Sequence, residues 1–211
     1  MNKGILFDVD GTLWDSAPQV AASWNEVLAG HPELNLRITV KDMYDNMGKT
    51  MMEFGNILFP GLSQEDCKQV MEECMAYENQ YLLAHPGILY PDVKETLCCL
   101  SRQYGLYVVS NCQTGYIEVL LKSCGLSEYI RDIECYGNTG LSKGDNIRMV
   151  IQRNHLEQCF YVGDTRMDEE ACAVAGIPFV YASYGFGRAD QPAGMIESLS
   201  QLPALARKLL D

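Results

Sequence analysis

Positive charge is scarce in this 211-residue chain: 16 Lys and Arg stand against 28 Asp and Glu, a formal charge of −12 at pH 7. A surface this acidic repels nucleic-acid backbones and anionic membranes, which excludes both as main ligands. An anionic substrate would need local compensation, from a metal ion or a placed lysine. Long apolar runs are also missing. No stretch approaches the roughly 18 residues of a membrane span, and Met1-Asn-Lys-Gly-Ile-Leu-Phe-Asp8 reaches a carboxylate before a signal-type apolar segment can form. A soluble, cytoplasmic protein is expected. No Cys-x-x-Cys pair occurs. The nine cysteines, at 67, 74, 98, 99, 112, 124, 135, 159 and 172, are odd in number and often sit among apolar residues, as in Cys159-Phe-Tyr-Val162. Reduced thiols in packing roles are expected. His155 and Cys159 offer half a zinc site without a matching second pair.

What is present is a globular composition, 47% hydrophobic, with a clear alternation of patterns. Short apolar runs at 4–7, 106–109, 133–136, 159–162 and 178–181 read as buried strands. Helical spacing separates them, over 91–104, 114–124 (with Gly125 as its cap), 145–154 and 168–175. Strands alternating with helices predict an α/β fold, a Rossmann-like parallel sheet with helices on both faces. Residues 16–86 differ: they show helical patterns and no convincing strand. A helix to about Leu28 opens at a Ser16/Gln19 capping box, a second runs near Val40–Phe54, and a third starts at Ser63. The expectation is a core of residues 1–15 and 87–211 carrying an inserted all-helical cap at 16–86, connected through Asp15-Ser16 and His85-Pro86-Gly87.

Four polar clusters follow strands or open the helices after them: Asp8/Asp10/Thr12, Ser110/Asn111, Lys143 and Asp164/Asp168. In an open parallel sheet, ligands bind beyond the carboxyl ends of the strands, so clusters distant in sequence can meet there. Crowded carboxylates repel unless a hard cation holds them, and oxygen donors of this kind suit Mg²⁺. Lys143 sits near a helix start, where a cation opposes the helix dipole and a bound anion would offset that cost. Plainer readings exist for each: a solvated turn for Asp8 and Asp10, helix capping for Asp164 and Asp168, a strand-to-helix turn for Ser110 and Asn111, a surface lysine for Lys143.

Phe7-Asp8-Val9-Asp10-Gly11-Thr12-Leu13 resembles the first motif of the haloacid dehalogenase (HAD) superfamily of hydrolases. Val109-Ser110-Asn111 resembles the second, Lys143 the third and Val162-Gly163-Asp164-Thr165-Arg166-Met167-Asp168 the fourth, in the family's order. Lys143 is followed by Gly144, where many relatives have proline. The helical insert and Gly87-Ile-Leu-Tyr-Pro-Asp-Val resemble the phosphoglycolate phosphatase-like branch with its helical cap. The resemblance implies a Mg²⁺-dependent phosphatase acting on a small phosphorylated metabolite. Asp8 would be the nucleophile that forms an aspartyl-phosphate, and Asp10 the general acid/base, with Thr12 orienting it. Mg²⁺ would be held by Asp8, Asp164 and the Asp10 carbonyl. Ser110, the Asn111 backbone and Lys143 would hold the phosphoryl oxygens, and Asp168 would position metal-bound water.

In the cap, Gly48 and Lys49 belong to a loop expected to reach the substrate, while Met43, Met47, Met51 and Met52 are expected to pack the cap. A β-phosphoglucomutase-like phosphomutase is the alternative; a phospho-accepting signalling module and a silent binding protein are further ones. Dehalogenase chemistry is disfavoured because those relatives lack a second aspartate, which here is Asp10. The substrate is not named by these residues, and a monomer and a homodimer are both open.

Overall fold

In chain order the computed structural model, which describes residues 2–211, runs as follows. β1 (Lys3–Phe7) and β2 (Trp14–Asp15) precede the helices α1 (Ala17–Leu28), α2 (Val40–Tyr44), α3 (Met51–Leu58) and α4 (Gln64–Ala84). β3 (Ile88–Leu89) returns to the sheet region, followed by α5 (Val93–Leu100), β4 (Gly105–Ser110), α6 (Tyr116–Ser123), β5 (Asp132–Cys135) and α7 (Tyr136–Thr139). The chain ends with α8 (Lys143–Arg153), β6 (Gln158–Gly163), α9 (Arg166–Ala175), β7 (Phe179–Ala182), β8 (Gly194–Ile196) and α10 (Leu202–Leu210). No helix among the described residues is long and apolar enough to cross a membrane.

Six strands form one parallel sheet in the order β5-β4-β1-β6-β7-β8. The apolar runs are continuous because both faces are covered. Ile5, Phe7, Val108 and Val162 pack into one core layer; Leu6, Tyr107, Val109 and Tyr161 pack into the other. The chain leaves β1 toward β4 and β5, then crosses to β6 on the other side. Strand order therefore reverses at β1, which opens a crevice beyond the carboxyl ends of β1, β4 and β6.

The expected strands and core helices are found, and the sequence pattern passes over β2, β3, α7, β8 and α10. β8 and α10 complete the C-terminal edge. β2 and β3 pair antiparallel, Trp14 with Leu89 and Asp15 with Ile88, so the two predicted connections form a single ribbon between the sheet and the inserted helices.

The single helix expected over Val40–Phe54 is two helices. Gly48 has a positive φ of 85°, and Thr50 accepts from the Glu53 N–H as an N-cap; together they break the run. The predicted Ser16/Gln19 capping box does not form either: the Ser16 side chain makes no cap bond and donates instead to Asp10 Oδ1 at 2.7 Å. Ser16 also has αR backbone (φ −105°, ψ −6°) instead of the extended conformation in which a capping oxygen reaches the helix N–H groups. α4 starts as expected, with Ser63 accepting from the Asp66 N–H at 3.1 Å. It buries Cys67, Val70, Met71, Cys74 and Leu82 at helical spacing. All nine cysteines are free thiols, and five of them are buried.

Candidate active site

Asp8 stands one residue beyond β1. Its N–H donates to the Val162 carbonyl at 2.9 Å, which continues the sheet ladder and fixes the residue at the carboxyl edge. Lys143, the first residue of α8, places its Nζ 3.0 Å from Asp8 Oδ1 and 2.6 Å from Asp168 Oδ1. All three side chains are buried. Burial pushes the lysine's pKa down, but the charges of Asp168 and Asp8 outweigh it and hold the pKa above normal, so the ammonium stays charged. Those two carboxylates also offset the unfavourable placement of a cation at a helix N-terminus. The side chain therefore spans the carboxylates and does not line the cavity described below.

Asp164 follows β6. Its Oδ2 accepts from the N–H groups of Phe186 (2.7 Å) and Gly187 (3.3 Å), in the loop after β7. Gly11 and Gly185 close on this carboxylate. A Cβ on either would come within 2.3 Å of an Asp164 side-chain atom, and Gly11 has a φ of 81° besides. Asp168 forms a capping box with Thr165, whose N–H and Oγ1 donate to its Oδ2 at 3.0 and 2.7 Å. The capping reading thus holds for one oxygen of Asp168, and the other oxygen meets Lys143.

One carboxylate oxygen each from Asp8, Asp164 and Asp168 lies within 4.8 Å of the others, the one such acid, His or Cys grouping among the described residues. Three buried carboxylates share one lysine. Burial raises the Asp8 pKa from 3.8 to about 7, with the charge of Asp168 adding to it and Lys143 opposing. Burial, then the charges of Asp168 and Asp8, push Asp164 up as well. Asp164 Oδ1 is buried without a hydrogen-bond partner, and Asp8 Oδ1 is buried with the Lys143 ammonium, 3.0 Å away, as its counter-charge. Orphaned, mutually repelling hard oxygens are the donor set of Mg²⁺, so the residues fit that ion. The carboxylate of Asp168 stands within this cluster, and that of Asp10 outside it, so a part for Asp10 falls to its main-chain carbonyl, as expected from the sequence.

The Asp10 carboxylate is held by three donors on Oδ1: Trp14 Nε1 (3.0 Å), Ser16 Oγ (2.7 Å) and Tyr116 OH (2.8 Å). This leaves Oδ2 uncommitted in a residue that lines the cavity. Burial raises its pKa, and the hydrogen bonds from Ser16, Tyr116 and Trp14 act against the rise. Thr12, expected to orient Asp10, does not. Its buried Oγ1 has no partner, because the turn after Asp10 carries Trp14 and Ser16 back toward the carboxylate instead.

Asp8, Asp10, Ser110 and Asn111 line a cavity of about 40 Å³, room for a few water molecules. Gly48 and Lys49 also line it. Asn111 Nδ2 donates to the Gly48 carbonyl at 2.8 Å, tying the loop after β4 to the α2–α3 loop. Lys49 Nζ donates to Asn46 Oδ1 at 2.9 Å. The methionines divide: Met43, Met47 and Met51 form part of the cavity wall, and Met52 is exposed. Tyr116, Ser16, Trp24, Glu78 and Gln113 were not anticipated. Glu78 on α4 is 2% exposed and accepts from Trp24 Nε1 on one oxygen and Gln113 Nε2 (2.8 Å) on the other. Burial pushes its carboxyl up to about 7. Its position was legible, four residues after Cys74 and four before Leu82 on the apolar stripe of α4, whereas Glu65, Asp66 and Glu72 fall off that stripe and are exposed.

The model of the haloacid dehalogenase-like hydrolases matches residues 5–182, from β1 through β7. The chain belongs to that family. This haloacid dehalogenase-like chain is 30% identical to the plasmid phosphoglycolate phosphatase of Cupriavidus necator, over 95% of its own length and 91% of the relative's. It is 28% identical to a phosphoglycolate phosphatase of Vibrio vulnificus, over 95% and 94% of the two chains. A solved haloacid dehalogenase-like family hydrolase from Streptococcus pneumoniae superimposes with a TM-score of 0.81 at 22% identity, over 97% of this chain and 98% of that one, a likeness of fold. The resemblance to the phosphoglycolate phosphatase-like branch, read from the helical insert and the segment after Gly87, thus extends along nearly the whole chain.

Proposed function

We propose that the protein is a Mg²⁺-dependent phosphatase that hydrolyses a small phosphate monoester through an aspartyl-phosphate on Asp8. The observation that carries this reading is the pairing inside one cavity of a buried, metal-seeking carboxylate, Asp8, with a second carboxylate, Asp10, that keeps one oxygen free. Asp8, Asp164 and the Asp10 carbonyl would hold Mg²⁺, which would neutralise phosphoryl charge and let an anionic nucleophile approach an anionic ester.

Asp8 would attack phosphorus, and the bond to the leaving oxygen would break as Asp10 Oδ2 delivers its proton. A raised Asp10 pKa favours the protonated form this step needs. Asp10 would then take a proton from the water that hydrolyses the acyl phosphate, returning Asp8 to a carboxylate and releasing phosphate. Ser110 Oγ and the Asn111 N–H would hold phosphoryl oxygens. Lys143 keeps Asp8 and Asp168 aligned and balances their charge. Residues 16–86 would act as a cap that closes over the substrate through the β2–β3 ribbon, with Gly48 and Lys49 at the contact.

Phosphate release from a panel of phosphate esters, with Mg²⁺ and with EDTA, tests the proposal. Metal-dependent release is expected; full activity after thorough chelation would overturn it.

A further inference from the structure

The cavity has two unlike ends. The Asp8, Asp10, Ser110 and Asn111 end is where the phosphoryl group and the scissile oxygen must lie, so the alcohol portion faces the other end. That end is built by the inserted helices, with Val20, Trp24, Met43 and Phe54 as apolar wall. Two ionisable side chains complete it, Lys49 and Glu78. Lys49 is partly buried, and its ammonium donates to Asn46 Oδ1 and the Asp45 carbonyl, which hold it on its own loop. Glu78 lies deep and is fixed by a rigid indole on one side and Gln113 on the other.

Buried carboxylates are ordinarily matched by a cation or by enough donors. Glu78 has one neutral donor on each oxygen and no ion pair, and the charge that acts on it is Asp10, of the same sign. Each of its oxygens retains a lone pair. A second anion on the substrate, entering this end, would meet a buried acid. An ammonium or hydroxyl would supply what the acid lacks.

We infer that Glu78 selects the substrate: a phosphate monoester of a small alcohol whose far end carries an amino or hydroxyl donor and no second anionic group. This inference rests on the phosphatase reading and narrows it. It also separates the chain from what its relatives' names describe, since a 2-phosphoglycolate molecule brings a carboxylate to this end.

The test compares kcat/KM for O-phosphoethanolamine, glycerol 2-phosphate and 2-phosphoglycolate at pH 8 with Mg²⁺, in the wild type and in Glu78→Gln. Gln can still accept from Trp24, so packing is conserved while the charge is lost. The wild type is expected to favour one of the two donor-bearing esters over 2-phosphoglycolate by at least tenfold, and Glu78→Gln to reduce that ratio at least tenfold. A wild type that prefers 2-phosphoglycolate overturns the inference without any variant, and so does a ratio unmoved by Glu78→Gln. Release of p-nitrophenol from p-nitrophenyl phosphate by the wild type tests the phosphatase reading separately. Its absence, with no ester cleaved, overturns that reading and the inference with it; its presence alongside a preference for 2-phosphoglycolate overturns the inference alone.

Discussion

Replacing Asp8 by Asn should abolish turnover and, in the absence of metal, change stability in a way that depends on pH. In the folded chain burial and the charge of Asp168 raise the Asp8 pKa from 3.8 to about 7. An acid with a raised folded-state pKa binds its proton more tightly when folded. Its contribution to stability is therefore neutral well below pH 4 and grows unfavourable as pH rises toward 7. The difference of about 3 units corresponds to about 4 kcal/mol at pH 8, at about 1.4 kcal/mol per unit, and to less than half of that at pH 5.

Asn removes the charge and adds an amide that lacks partners, a cost of about 1–3 kcal/mol that does not depend on pH. That cost cancels when one variant is compared at two pH values. Relative to wild type in EDTA, Asp8→Asn should gain about 2–3 kcal/mol on going from pH 5 to pH 8. Urea unfolding followed by the fluorescence of Trp14 and Trp24, the chain's two tryptophans, reads the difference directly. Added Mg²⁺ should stabilise the wild type more than the variant. A stability difference that is the same at both pH values would refute the buried, unbalanced carboxylate, and turnover near the wild-type rate would refute the covalent role.

Asp10→Asn should lower kcat by at least about two orders of magnitude, the scale of general acid–base catalysis, in a steady-state assay; a rate within threefold of wild type would contradict the role given to its free oxygen. Lys143→Met leaves Asp8 and Asp168 facing each other without a counter-charge. It should cost about 3–5 kcal/mol of stability in EDTA, as loss of one partner of a buried pair does, and a loss below about 1 kcal/mol in denaturant titration would mean the lysine does not hold the cluster together.

How much was legible follows from what each feature needs. Asp8, Asp164, Lys143 and Asp168 could be placed because each immediately follows a strand or opens the next helix, and strands buried on both faces announce themselves as continuous apolar runs such as Gly4–Phe7 and Phe160–Val162. A parallel sheet then carries all those positions to one edge, whatever the side chains do. Even the helix start at Ser63 and the stop at Gly176 are local effects, set by a capping hydroxyl and by a φ of 76° that glycine adopts freely.

Side-chain direction is not local, and the tertiary structure alone decided it. Ser16 had two possible tasks, capping α1 or bonding Asp10, and the return of the chain from Gly11 through Trp14 put the carboxylate within reach of its hydroxyl. Thr12 lost its expected partner by the same turn. Tyr116 reaches Asp10 from 106 positions away, and Glu78 becomes a cavity residue only because α4 packs its buried face against Trp24 and the loop carrying Gln113. The sequence by itself determined a parallel α/β core with four polar clusters at one edge, because strand periodicity and order are properties of the chain. Which oxygen of Asp10 stays free, where Lys143 spends its charge and what the far end of the cavity recognises were decided by packing, because each depends on distances between residues that the chain keeps far apart.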